Sequence, residues 1–134
     1  MIRVYTDAAV KGNPGPVGIG ILILTANDQI QLTKSPESEW DNHTAEFLAL
    51  KYGLEWLIDH RLMDEMTFCY TDSQVAAEAI NKSYTKNKAY QRVLDDILLL
   101  MDSFQLITVE WVPESKNKGA DNLARQALHT TLNR

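Results

Sequence analysis

The chain has 134 residues, 45% of them hydrophobic and 23% charged, which fits one ordinary globular domain over residues 1–134 that buries about two-thirds of its unfolded surface. Lys and Arg number 13 against 18 Asp and Glu, a net charge of −5, so a uniformly basic nucleic-acid coat is excluded while a local basic strip is not. Cys69 is the one cysteine, which excludes an internal disulfide and a cysteine-rich zinc site.

Ile2 to Thr6, rich in β-branched and aromatic residues, predicts a strand. Lys11-Gly12-Asn13-Pro14-Gly15-Pro16 is loop punctuation. Val17 to Thr25 predicts a second strand, with Gly18 and Gly20 where a neighbouring backbone or ligand comes close. Asn27-Asp28 is a turn and Gln29 to Thr33 a third strand, completing an antiparallel meander. The period then changes. Ala45, Leu48, Ala49, Tyr52, Trp56 and Leu57 recur at helical spacing and predict an amphipathic helix over 44–60. Met66 to Thr71 is a strand, and Ser73 caps a short helix carrying Val75, Ala76, Ala79 and Ile80. A longer helix covers 87–104, a strand 106–112 and a final helix 119–132. The order βββαβααβα implies an α/β fold. Its mixed five-stranded sheet has three antiparallel strands and two further parallel ones, flanked by helices. The longest apolar runs, 18–24 and 97–101, are too short to span a membrane, and no signal-peptide core follows the N-terminus. A soluble cytoplasmic protein is expected.

Four acids fall at informative places. Asp7 ends the first strand, Glu46 sits in the first turn of the long helix, Asp72 ends the fourth strand and Asp121 opens the last helix. Taken singly, each is an ordinary cap, turn former or dipole-favoured acid. If the first and fourth strands are neighbours, all four converge near the point where strand order reverses. Converging carboxylates repel unless divalent cations neutralise them, and hard oxygen ligands suit Mg²⁺ or Mn²⁺. Two such ions are the apparatus for in-line phosphoryl displacement.

Four blocks carry a resemblance: Tyr5-Thr6-Asp7 with Gly12-Asn13-Pro14-Gly15-Pro16, Asn42-His43-Thr44-Ala45-Glu46, Tyr70-Thr71-Asp72-Ser73-Gln74, and Asn117-Lys118-Gly119-Ala120-Asp121-Asn122-Leu123-Ala124. In this order they resemble a type 1 ribonuclease H over nearly the whole chain. The resemblance implies a ribonuclease H-like fold and Asp7, Glu46, Asp72 and Asp121 as the metal-binding catalytic set. It also implies cleavage of the RNA strand of an RNA–DNA hybrid by a two-metal-ion mechanism, leaving 5′-phosphate and 3′-hydroxyl ends. It assigns minor-groove contacts to Asn13, Asn42 and Gln74. No obligate protein partner is evident from the sequence.

The segment 81–92 holds Lys82, Lys86, Lys88 and Arg92 with no acid. Lys86 and Lys88 are candidate contacts to substrate phosphates, and an ordinary solvated loop fits as well. Trp56 and Trp111 fit a core better than a stacking platform. Two features of many family members are missing. Asn81 to Lys88 is too short for the basic protrusion, and no His lies between Trp111 and Asp121. The chain therefore resembles the compact, protrusion-free branch, similar to archaeal-type members. His43 is a helix-start residue near Glu46. Two other readings stay open: a superfamily nuclease acting on other nucleic acids, and a catalytically weak or inactive nucleic-acid-binding module of the same fold.

Overall fold

A computed structural model describes residues 1–133. Its strands are β1 (Ile2–Val10), β2 (Val17–Leu24), β3 (Gln29–Lys34), β4 (Thr67–Thr71) and β5 (Ile107–Trp111). Its helices are α1 (Asn42–Asp59), α2 (Gln74–Lys82), α3 (Lys88–Met101) and α4 (Lys118–Leu132), with a 3₁₀ turn at Glu114–Lys116. The sheet order is β3-β2-β1-β4-β5. β1 runs antiparallel to β2 and parallel to β4, β2 antiparallel to β3, and β4 parallel to β5. This is the mixed α/β sheet expected from the element order.

Alternation along the strands divides the sheet into two faces. Val4, Thr6 and Ile21 meet α1 at Gly53. With Phe47, Leu50, Leu54, Leu57, Leu94 and Ile97 they form the main core, every one of those helical side chains almost fully buried. α3 packs on α1, and α2 fills the end over β5. The opposite face belongs to α4. There Gly18 and Gly20 leave no room for a side chain: a Cβ on Gly20 would lie 2.2 Å from the Ala120 carbonyl oxygen and 2.4 Å from the Ala124 nitrogen. The close neighbour expected at these glycines is the backbone of the last helix.

Three boundaries differ from the sequence reading in ways that move the site. β1 continues past Thr6 to Val10, because Asp7, Ala8 and Ala9 pair with Gly20, Ile19 and Gly18 while β2 remains apolar to Val17. Asp7 is therefore inside a strand. Parallel pairing with β4 nevertheless stops at Thr6, opposite Thr71, so Asp7 is the first β1 residue beyond that partner. α1 begins at Asn42, where the Asp41 carboxylate accepts from the Thr44 N–H, 3.1 Å. The earlier cap places Glu46 past the first turn. α2 ends at Lys82 and α3 starts at Lys88, so only residues 83–87 occupy the place of a protrusion. No helix among the described residues is long and apolar enough to cross a membrane.

Gly20→Ala tests the glycine contact. Its methyl group meets backbone, which cannot rotate away, so α4 must move outward. The substitution is expected to lower unfolding free energy by about 3 kcal/mol, measured by urea denaturation.

Candidate active site

Asp72 follows β4 directly, beside Asp7 on the neighbouring strand, and Glu46 reaches them from α1. The Ala8 N–H ties two of these acids together: it donates to Asp7 Oδ1 at 2.9 Å and to Glu46 Oε1 at 3.1 Å. One carboxylate oxygen each from Asp7, Glu46 and Asp72 lies within 4.8 Å of the others. Asp121 stands in the first turn of α4, outside this tight group. Its Oδ1 accepts from Arg125 Nε, 3.0 Å away on the next turn. Its charge still reaches Asp7 and Asp72.

Burial dominates the electrostatics. Desolvation, reinforced by the Asp72 and Asp121 charges, raises Asp7 from 3.8 to about 7, even though hydrogen bonds from Glu46 and Ala8 pull the other way. Glu46 is also held well above its ordinary value, first by burial and then by Asp7 and Asp72. Asp72 is also raised by burial and by Glu114 and Asp121, against a hydrogen bond from Asn117. Glu46 Oε2 is buried with no hydrogen-bond partner. An orphaned carboxylate oxygen among mutually repelling carboxylates is the donor set a hard divalent cation satisfies. The residues therefore fit such an ion.

Asn117 is a positioning residue the sequence reading quoted but gave no role. It is almost fully buried. Its Nδ2 donates to the Thr6 carbonyl at 2.9 Å and to Asp72 Oδ2 at 3.3 Å. Its backbone carbonyl accepts from the Asp121 N–H at 3.0 Å, opening α4. One residue thus links β1 and the end of β4, through its side chain, to the start of α4, through its backbone. An Asn four residues before an acid at a helix start was the available signal.

A cleft of about 610 Å³ opens over the acids, lined by Asn42, His43, Glu46, Asp72, Gln74 and Trp111 among others. Asn42 and Gln74 therefore lie at the site. Asn13 reaches it indirectly, accepting from the Asn42 N–H at 2.9 Å. Lys86 and Lys88 are exposed and stand apart, beyond the end of α2 and at the start of α3. Trp56 is half-buried against the core, but the core reading of Trp111 is wrong. Trp111 is 45% exposed, because β5 is an edge strand that ends beside the cleft. Its Nε1 donates to the Asp72 carbonyl at 3.1 Å.

The family described as "Reverse transcriptase-like" matches residues 5–127. A "Ribonuclease H" of Desulforamulus reducens is 31% identical over 139 residues, covering 92% of this chain and 84% of that one. The chain belongs to the ribonuclease H family. It is also 43% identical over 128 residues to the "Putative hydrolase EbsB" of Enterococcus faecalis, covering 96% of this chain and 94% of the relative. Some relatives are longer: the chain spans 35% of the "Bifunctional protein Rv2228c" of Mycobacterium tuberculosis, at 28% identity over 95% of this chain. Among solved structures, LC11-RNase H1 in complex with an RNA/DNA hybrid superposes with a TM-score of 0.89, at 27% identity over 98% of this chain and 99% of that one. These likenesses agree with the ribonuclease H resemblance of the four sequence blocks.

The raised acids set the sign of a pH effect. Asp7 and Glu46 hold protons more tightly folded than unfolded, so their contribution to stability is full below their ordinary values. It is lost as pH rises, through about 7 for Asp7. The melting temperature of metal-free protein is expected to fall between about pH 5 and about pH 8. Mg²⁺ should restore it at the higher pH, and Asp7→Asn should flatten the metal-free profile, read by thermal denaturation.

Proposed function

We propose that this ribonuclease H hydrolyses the RNA strand of RNA–DNA hybrids endonucleolytically, leaving 5′-phosphate and 3′-hydroxyl ends. The observation that carries the reading is the convergence of Asp7, Glu46 and Asp72 within 4.8 Å, with a buried, unpartnered Glu46 oxygen. Asp121 completes the set from the rim by releasing Arg125. Two divalent ions, Mg²⁺ or Mn²⁺, would be held by these four residues and would supply the charge that activates the attacking water and stabilises the departing 3′ oxygen. No side chain serves as nucleophile. Asp7, Glu46 and Asp72 keep the scissile phosphate and the water in line, and Asn117 holds Asp72 in place for that task. The complex of LC11-RNase H1 with an RNA/DNA hybrid supports the substrate class.

Recognition falls to neutral groups. An A-form helix presents its 2′-hydroxyls across a wide, shallow minor groove. Asn42 and Gln74 border the acids, Asn13 is bonded to Asn42, and all three would read those hydroxyls, which DNA duplex lacks. Lys86 and Lys88 would meet phosphates farther along. Residues 1–134 act here as one ribonuclease H-like domain. The cytoplasm is the proposed location, since Cys69 is a buried free thiol and hybrids arise where nucleic acids are copied.

Two measurements test this reading. Wild type should cut hybrid and leave DNA duplex intact, and Asp72→Asn should fold yet cut hybrid on the order of a thousandfold more slowly. Cleavage of hybrid by Asp72→Asn at the wild-type rate would remove Asp72 from the set. In a salt series, Lys86→Glu with Lys88→Glu should weaken hybrid binding and flatten the log–log slope by up to about two, with the rate on bound substrate kept. An unchanged slope would put the phosphate contacts elsewhere.

A further inference from the structure

Two exposed apolar side chains stand beside the acids. Trp111 ends β5 and is 45% exposed; Val75, in the first turn of α2, is 38% exposed. An indole left half in water forgoes burial that the core would reward. This one is also held, since its Nε1 bonds the Asp72 carbonyl at 3.1 Å. A fixed aromatic surface loses little conformational freedom when something packs on it.

Trp111 and Gln74 line two adjoining clefts. One is the 610 Å³ cleft over Glu46 and Asp72, which Val75 also lines. The other, about 300 Å³, continues along α2 past Ala77 and Glu78 to Asn81 and Lys82. A path thus leads from the acids, across the indole, to a cation. Glu78 lies on the same cleft and repels phosphate, leaving the Lys82 end as the favourable place for one. Asn81 is occupied, its Nδ2 donating to the Val109 carbonyl at 2.9 Å.

We propose that Trp111, with Val75 beside it, forms a binding surface for the RNA strand of the hybrid. The indole face packs on the ribose and base edge of a nucleotide flanking the scissile phosphate, and the strand continues toward Lys82. This rests on the hybrid-nuclease reading. The strand assignment follows from position: the residue whose carbonyl holds the indole is Asp72, so the strand that lies over the acids lies over Trp111. The minor groove of an A-form helix presents ribose edges that such a face can cover.

The test pairs kinetics with a contact probe. Trp111→Ala is expected to raise KM for hybrid about tenfold with kcat nearly unchanged, toward the low end of aromatic–nucleotide contacts. Trp111→Phe keeps a ring face and loses the bond to Asp72, so it should recover most of the KM. In wild type, 5-iodouridine in the RNA strand should photo-cross-link to Trp111, and the halogenated DNA strand should not. A fall in kcat for both variants at unchanged KM would make Trp111 only a brace for Asp72 and overturn the proposal. A cross-link from the DNA strand would overturn it too. Wild type that cuts no hybrid would sink the nuclease reading itself. Normal cutting, with neither a KM change nor an adduct, would sink the Trp111 surface alone.

Discussion

Carboxylates brought within 4.8 Å of one another repel, and burial makes that repulsion stronger. Any chain that gathers Asp7, Glu46 and Asp72 must hold them together before a cation arrives. Here backbone geometry does so. Parallel pairing of β1 and β4 sets Asp7 beside Asp72, and a single N–H, that of Ala8, serves both Asp7 and Glu46. Burial raises both the Asp7 and Glu46 carboxyls, so bound protons remove part of the charge until metal replaces them. The raised carboxyls and the orphaned Glu46 oxygen thus express one constraint: the site is built for charge it does not itself supply.

The fourth acid comes under that constraint by another route. Asp121 sits where α4 presses on β2, and Gly20, paired with Asp7, is the residue whose missing side chain allows the approach. Asn117 ties this helix start to Thr6 and Asp72 through one buried amide. Arg125 meanwhile offsets the Asp121 charge at the rim. That pair is exposed and one turn apart, so it exchanges readily for a stronger cation. Three acids are fixed and one is adjustable, a division that follows from their burial.

Much of this was legible in the sequence because it is periodic or spaced. The meander, the helices and the places of Asp72 after a strand and Asp121 at a helix start follow from apolar period and turn residues. What escaped depends on neighbours. The extension of β1 to Val10 needs the partner strand, whose register no local pattern reveals. The early start of α1 turns on Asp41, a cap that reads equally well as a loop residue. Asn117 looks like a helix-start polar residue until its amide is seen between two strands. Trp111 has the composition of a core residue, and only its place at the end of an edge strand shows that its indole is left half exposed.

That exposed indole bears on a problem posed by the net charge of −5. A polyanion gains little from long-range attraction to an acidic protein. Without a basic protrusion between α2 and α3, affinity must come from contacts made at close range. Amides that read hydroxyls and an apolar face that covers sugar edges carry no charge, so salt does not screen them. Cations are then needed only at a few phosphates, the part proposed for the exposed basic residues near the end of α2 and the start of α3. An acidic chain can bind a nucleic acid in this way provided its strongest local charge, the acid cluster, is neutralised by the same ions that carry out the chemistry.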